Sequence, residues 1–295
     1  MEHSDECIEP SAPEQLDEFV PLARPVGEAR PTPPALPQNP SNEFLLLNQS
    51  RPDVIVDCVL FIVLFLALSL PGEIALATIY ENFLAPAFAS EEERESAVSK
   101  AILFPAIGWR ALVCTALAAW MAKRRGTSLR SVGLSLKSFW GNLGLGLATF
   151  LAIMLATGFF TLLIQAFYPK LFEGFEKNAD MIIEAIPKAS LPILALVCLF
   201  IGYYEELAFR GFLMPRMRRA TGSWVVAVLG NTAIFVPLHL MDQAAAALPA
   251  VAGLSLTFSL VTVWRKSLVP AIVAHAMFDY IMFVNLYFSA GDKWK

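Results

Sequence analysis

The chain has 295 residues, 56% of them hydrophobic and 16% charged, with a mean hydropathy of +0.57. An ordinary soluble domain is about 45–50% apolar and about 25% charged, so both departures exclude a soluble globular enzyme. The formal net charge of −4 averages two unlike parts: residues 1–50 carry nine acids against Arg24 and Arg30, whereas residues 51–295 carry 17 acids and 20 bases.

The first 50 residues are acidic and rich in proline, with a dense run at Pro31, Pro33, Pro34, Pro37 and Pro40. Such a segment buries too little apolar surface to offset its ordering entropy, so a disordered cytoplasmic tail is expected over 1–50. It has no basic start followed by an apolar run, hence no signal-peptide pattern. The four cysteines (Cys7, Cys58, Cys114, Cys198) are widely spaced and suggest neither a disulfide framework nor a CxxC motif. No basic patch interleaves with aromatic residues, so a nucleic-acid partner is not expected.

From residue 51 onward the pattern is a transmembrane domain. A hydrocarbon core of about 30 Å needs about 20 apolar helical residues, and candidate spans run near 54–71, 101–121, 143–167, 190–213, 224–240, 246–264 and 268–288. None of these alternates, which argues against a β-barrel. The fold class expected is therefore all-α: a polytopic transmembrane bundle of about seven spans, with six to eight allowed. The connections agree. The 122–142 loop holds Lys123, Arg124, Arg125, Arg130 and Lys137 and no acid; 214–223 holds Arg216, Arg218 and Arg219; 265–267 holds Arg265 and Lys266. These alternate with acidic or neutral loops at 72–100, 168–189 and 241–245. By the positive-inside rule the N-terminus is cytoplasmic, and a bacterial inner (plasma) membrane fits.

Ionisable groups inside spans are costly, and each asks for a reason. The densest group is Tyr203-Tyr204-Glu205-Glu206-Leu207-Ala208-Phe209-Arg210-Gly211. Glu206 and Arg210 are four apart, on one helix face, and can pair. Glu205 lies about 100° further round, so Arg210 serves it less well, and a poorly paired carboxylate is a candidate general base. The plainer reading is a helix end wetted at the membrane interface. Two of the three histidines, His239 and His275, also lie in spans, and His275 has Asp279 one turn on, able to orient the ring. The plainer alternative for that pair is a hydrogen bond between helices. Phe235 shares a face with His239. Arg110, in the second span, has no obvious partner and can snorkel. Together these groups suit hydrolysis by a water that Glu205 activates, with an oxyanion held near His275. No Gly-x-Ser-x-Gly elbow and no His-Glu-x-x-His motif is present.

Three segments resemble the signature of the CPBP family, the CAAX-prenyl protease and bacteriocin-processing (abortive-infection) intramembrane proteases. Glu205, Glu206, Arg210 and Gly211 match its Glu-Glu-x-x-x-Arg motif; Phe235 and His239 match Phe-x-x-x-His; His275 and Asp279, after Ser267-Leu268-Val269-Pro270-Ala271, match His-x-x-x-Asn/Asp. The motifs come in family order within about 190–285, the expected catalytic core of the 51–295 transmembrane domain. The resemblance implies an intramembrane endopeptidase acting on membrane-associated or lipidated (CAAX-type) proteins. By it, Glu205 and His239 activate water, Glu206 and Arg210 hold the first motif in shape, and His275 and Asp279 bind the oxyanion. Asp279 would have to be protonated to donate there, and Pro237 falls inside the second motif. The family has long been labelled metalloprotease: Glu205, His239 and His275 would form a two-histidine, one-carboxylate zinc set. Arg210 is placed to keep Glu206 occupied, however, and the reading favoured here needs no cofactor. The partners expected are membrane lipid and a membrane-bound protein or peptide substrate. Two other classes use the same residues: a non-proteolytic immunity or sorting factor that binds in the cavity, and a proton-coupled transporter with a relay through Glu205, Glu206 and His239.

Overall fold

The computed structural model describes residues 43–46, 48–83, 91–185, 189–241 and 243–289. Among them the only regular structure is helical: α1 (Arg51–Phe83), α2 (Glu91–Arg124), α3 (Phe139–Phe167), α4 (Pro169–Ala185), α5 (Leu191–Glu206), α6 (Met214–Thr221), α7 (Trp224–Leu238), α8 (Leu248–Arg265) and α9 (Val269–Ser289). Six helical segments are long and apolar enough to cross a membrane: Arg51–Tyr80, Ile102–Arg124, Phe139–Phe167, Leu191–Thr221, Ala245–Arg265 and Val269–Ser289. The outer faces agree with that solvent. On α3, Leu147, Leu151, Leu155, Phe159, Phe160 and Leu162 are exposed, an apolar surface that suits lipid rather than water.

Four expectations change in detail. The fifth expected span, 224–240, is the 15-residue helix α7. At 1.5 Å per residue it extends about 22 Å, short of the membrane core. It stops at Leu238, just after Pro237, and the chain continues through single 3₁₀ turns at His239–Met241 and Ala245–Ala247 into α8. The 168–189 loop contains helix α4, which sets Ala179, Ile182 and Ile183 against Leu194, Cys198, Phe283 and Leu286, while its Asn178 Oδ1 accepts the Ala244 N–H at 2.7 Å. The 72–100 loop is shorter than expected, because α1 continues through Pro71 to Phe83. A transmembrane helix tolerates such a proline when a neighbour supplies donors, and here Trp109 Nε1–H of α2 donates to Leu68 O at 3.1 Å.

The last difference concerns the tail. Residues 1–42 lie outside the described residues, as do Asp242, Lys293 and Lys295. Part of the stretch from 43 to 50, expected to share the tail's disorder, packs against the helices. Phe44 is fully buried and stacks on Trp224 with ring centroids 6.0 Å apart, Leu46 is buried, and Gln49 O accepts from Arg219 Nε at 2.7 Å. Two apolar anchors, Phe44 and Leu46, are enough to order a short segment that composition alone assigns to the tail.

The basic connections meet at one end of the bundle. Leu268 N–H donates to Gly133 O at 3.0 Å, joining the start of α9 to the turn after Leu129–Val132. Arg125 makes a bidentate contact with Asp57 (Nη2 to Oδ1 2.8 Å, Nε to Oδ2 3.2 Å) and reaches Asp53 at 3.0 Å. Hydrogen bonding to Asp57, against desolvation, holds the Arg125 guanidinium above its ordinary pKa and so firmly charged. Buried Arg216 of α6 approaches the same Asp57 at 3.9 Å and lies 3.5 Å over the Phe212 ring.

Candidate active site

The first motif sits where helix geometry changes. After Glu206 the chain forms a π-helical turn, Leu207–Leu213, closed by the Met214 N–H on Phe209 O, before α6 resumes. Such wide turns recur at functional sites because they re-aim side chains without ending the helix. Here the turn carries Arg210 inward, fully buried, where Nη1 meets Glu206 Oε1 at 2.9 Å and Nη2 donates to Ser255 O at 3.4 Å. The guanidinium also lies 4.3 Å over the Phe235 ring and 5.7 Å from that of Phe258, so side chains and backbone from α5, α7 and α8 all hold it.

Close helix approach supplies the histidine. A Cβ on Gly202 would stand 3.0 Å from Ala276 N and 3.3 Å from Ile272 O; without one, α5 lies directly on α9. His275 then reaches across, with Nδ1 2.9 Å from Glu206 Oε1. Facing a carboxylate, Nδ1 carries the proton and donates. The other nitrogen, Nε2, lies 3.8 Å from Glu205 Oε2 and 3.5 Å from Asp279 Oδ2. Phe258 of α8 stacks on the imidazole, centroids 5.0 Å apart and planes 19° from parallel, fixing the ring's plane.

Five of the six expected site residues therefore form one cluster: Glu205, Glu206, Arg210, His275 and Asp279. The sixth, His239, caps α7, its Nδ1 3.1 Å from Phe235 O and its ring centroid 4.5 Å from that of Phe235. A carbonyl only accepts, so Nδ1 donates and neutral His239 leaves Nε2 as a bare acceptor. Phe235, the other residue of that motif, bridges Arg210 and His239. Three carboxylates thus surround one guanidinium and one imidazole. With all three ionised, the cluster retains one negative charge even when His275 is an imidazolium. Glu205 Oε2 is a buried oxygen with no hydrogen-bond partner among the described residues.

Several contributors are not legible in the motifs. Tyr204 OH donates to Glu205 Oε1 at 3.3 Å and faces Arg110, whose guanidinium is paired in bidentate fashion with Glu73 (2.6 and 2.8 Å). Arg110 thus has a partner, on the part of α1 expected to be loop. Tyr204 stands beside the double glutamate in sequence, which is the one signal that could have singled it out. Phe258 and Ser255 carry none, since only packing brings α8 to the site.

Among the described residues no group of three His, Cys, Asp or Glu side chains is arranged to hold a metal ion. Both nitrogens of His275 face carboxylates, and the donor set Glu205, His239 and His275 is not gathered as a zinc site would need. Residues 187–281 match the family described as Type II CAAX prenyl endopeptidase Rce1-like, a segment that holds all three motifs. No curated protein and no solved structure shows significant similarity to the chain.

Proposed function

We propose that the chain is an intramembrane endopeptidase that hydrolyses a peptide bond of a membrane-associated protein, with Glu205 as the base. This premise rests on the match of 187–281 to the Rce1-like CAAX endopeptidases. The observation that carries it is the buried Glu205 Oε2, 3.8 Å from His275 Nε2 and without a hydrogen-bond partner among the described residues, whereas Glu206 is already engaged through Oε1 by Arg210 and His275. Glu205 takes a proton from a water that also donates to the bare Nε2 of His239. The hydroxide attacks the scissile carbonyl, and the Nε2–H of His275 as imidazolium, aligned by Asp279, stabilises the developing oxyanion. Glu205 returns the proton to the leaving amine. Glu206 and Arg210 position His275 without touching substrate. Lipidated, CAAX-type proteins are the substrate class this reading favours, with the basic end of the bundle on the cytoplasmic side.

The test replaces Glu205 by Gln, which keeps shape and removes the base. Purified in nanodiscs, the variant should lose cleavage of a CAAX-type peptide by at least about two orders of magnitude, within the range removal of a general base costs, while keeping wild-type thermal stability. Wild-type cleavage would refute the assignment. Turnover that survives exhaustive chelation, with the metal content of the purified protein measured alongside, checks that side chains alone carry the steps.

A further inference from the structure

A hydrolase buried in a bilayer must receive water, and one helix face carries groups suited to pass it. Ser255, Ser259 and Thr262 are spaced i, i+4 and i+7 on α8, so they line one stripe, and all three are fully buried. Opposite, α7 contributes Asn231, also fully buried, and Thr232, whose Oγ1 meets Ser255 Oγ at 2.9 Å. Both side-chain polar atoms of Asn231, Ser259 Oγ and Thr262 Oγ1 have no hydrogen-bond partner among the described residues.

Ser69 Oγ of α1 and the Gln49 amide are likewise buried without a partner among the described residues, but the stripe differs from the other helical threonines. Elsewhere in the molecule threonines satisfy themselves on their own helix: Thr78 donates to Ile74 O, Thr115 to Ala111 O, Thr157 to Ile153 O and, on α8 itself, the exposed Thr257 to Gly253 O, all within 2.7–2.8 Å. Thr262 and Ser259 do not, although burial makes an unpartnered polar atom more costly there than at an exposed position. The stripe also continues into the site. Ser255 O accepts from Arg210 Nη2, and beyond it Arg210 Nε and Glu206 Oε2 are again buried atoms with no partner among the described residues. At the other end Thr262 lies one turn before Arg265, which donates to Asn142 Oδ1 at 2.9 and 3.0 Å beneath the basic turn.

From these observations we propose that the α7–α8 seam binds a short file of water molecules leading from the basic end of the bundle to the Glu206–Arg210 pair. Neutral amide and hydroxyl groups, each able both to donate and to accept, suit water rather than an ion. The distance fits as well: Ser255 to Thr262 spans about 10 Å along the helix, which about three or four waters bridge at about 2.8 Å each. If the chain hydrolyses peptides as proposed above, this file is the route by which the consumed water is replaced.

Radiolytic hydroxyl-radical footprinting of the substrate-free protein in nanodiscs reads the water directly. Met214 borders the seam, packed with Ala227 and Val228 of α7 and Leu256 and Val263 of α8, whereas Met121 is comparably buried in an apolar cluster formed with Phe61, Leu117, Ala118 and Phe212. Met214 should be oxidised several-fold faster than Met121. Thr262→Val, which keeps shape, and Asn231→Leu should each lower that ratio towards one. Equal rates in the wild type would overturn the proposal. In cleavage assays the same variants should lower kcat several-fold with KM unchanged; loss of labelling with unchanged kcat would remove the supply role. Glu205→Gln is the separate control: labelling kept with cleavage lost upholds both readings, while labelling kept with full cleavage removes the protease reading and leaves the water file standing.

Discussion

Replacing Arg210 by Met should destabilise the bundle by about 3 kcal/mol, the lower end of the cost of breaking a buried ion pair. Both partners of the Glu206–Arg210 pair are fully buried at 2.9 Å. Removing one member of such a pair leaves an uncompensated buried charge and costs about 3–5 kcal/mol. Loss of the guanidinium from the face of Phe235 adds up to about 2 kcal/mol for a desolvated cation–π contact. Against this, His275 Nδ1–H still donates to Glu206 Oε1, which places the expected loss near the lower bound. A loss of about 3 kcal/mol lowers the folded-to-unfolded ratio by roughly 150-fold. The double variant Arg210→Met/Glu206→Leu removes both charges together and forfeits chiefly the hydrogen bond to His275, about 1–2 kcal/mol. It should therefore be more stable than Arg210→Met alone, with a coupling of several kcal/mol across the cycle. Reversible unfolding in mixed micelles, followed by tryptophan fluorescence, measures all four corners. An Arg210→Met variant within about 1 kcal/mol of the wild type, or a double variant as unstable as the sum of the singles, would refute the account of a buried, mutually dependent pair.

Further outcomes follow from other contacts. Tyr204→Phe removes the hydroxyl that donates to Glu205 Oε1 at 3.3 Å; kcat should fall about tenfold, the equivalent of about 1.4 kcal/mol for one hydrogen bond to a charged group, with the melting temperature almost unchanged. Gly202→Val should push α5 off α9, cost about 1–3 kcal/mol by overpacking and abolish cleavage, whereas Gly158→Val, whose Cβ meets nothing within 4 Å, should leave activity unchanged in the same assay. Phe44→Ala should lower stability by about 3 kcal/mol in the unfolding assay because it empties a fully buried site; a change under about 0.5 kcal/mol would show that the 43–50 segment is not part of the packed body.

The helical spans were legible because a bilayer imposes one-dimensional rules: length, apolarity and loop charge are each local properties of the chain. Those rules fail where local signals mislead. The first span was expected to end at 71, yet α1 runs on through Pro71 to Phe83, with Trp109 of α2 donating to Leu68 O beside the proline. α7 ends at Leu238, just after Pro237, and the Asn178–Ala244 contact of α4 braces the irregular backbone that follows.

At the candidate site the sequence could place Glu206 with Arg210 and His275 with Asp279, because each pair lies four residues apart on a single helix and its meeting follows from helical pitch. It could not place His275 on Glu206, 69 residues away, nor Phe258 on His275, nor Glu73 on Arg110. Those contacts depend on which helices adjoin and on how closely: α5 and α9 meet at Gly202 because that position has no Cβ, and the π-helical turn after Glu206 decides that Arg210 points inward. The local code of the chain sets which residues are charged within the membrane. The tertiary packing alone decides which of those carboxylates meets charged partners at 2.9 Å, as Glu206 does through Oε1, and which stands 3.8 Å from the nearest, as Glu205 does, since pairing energies in a low-dielectric interior depend on distances that no single helix contains.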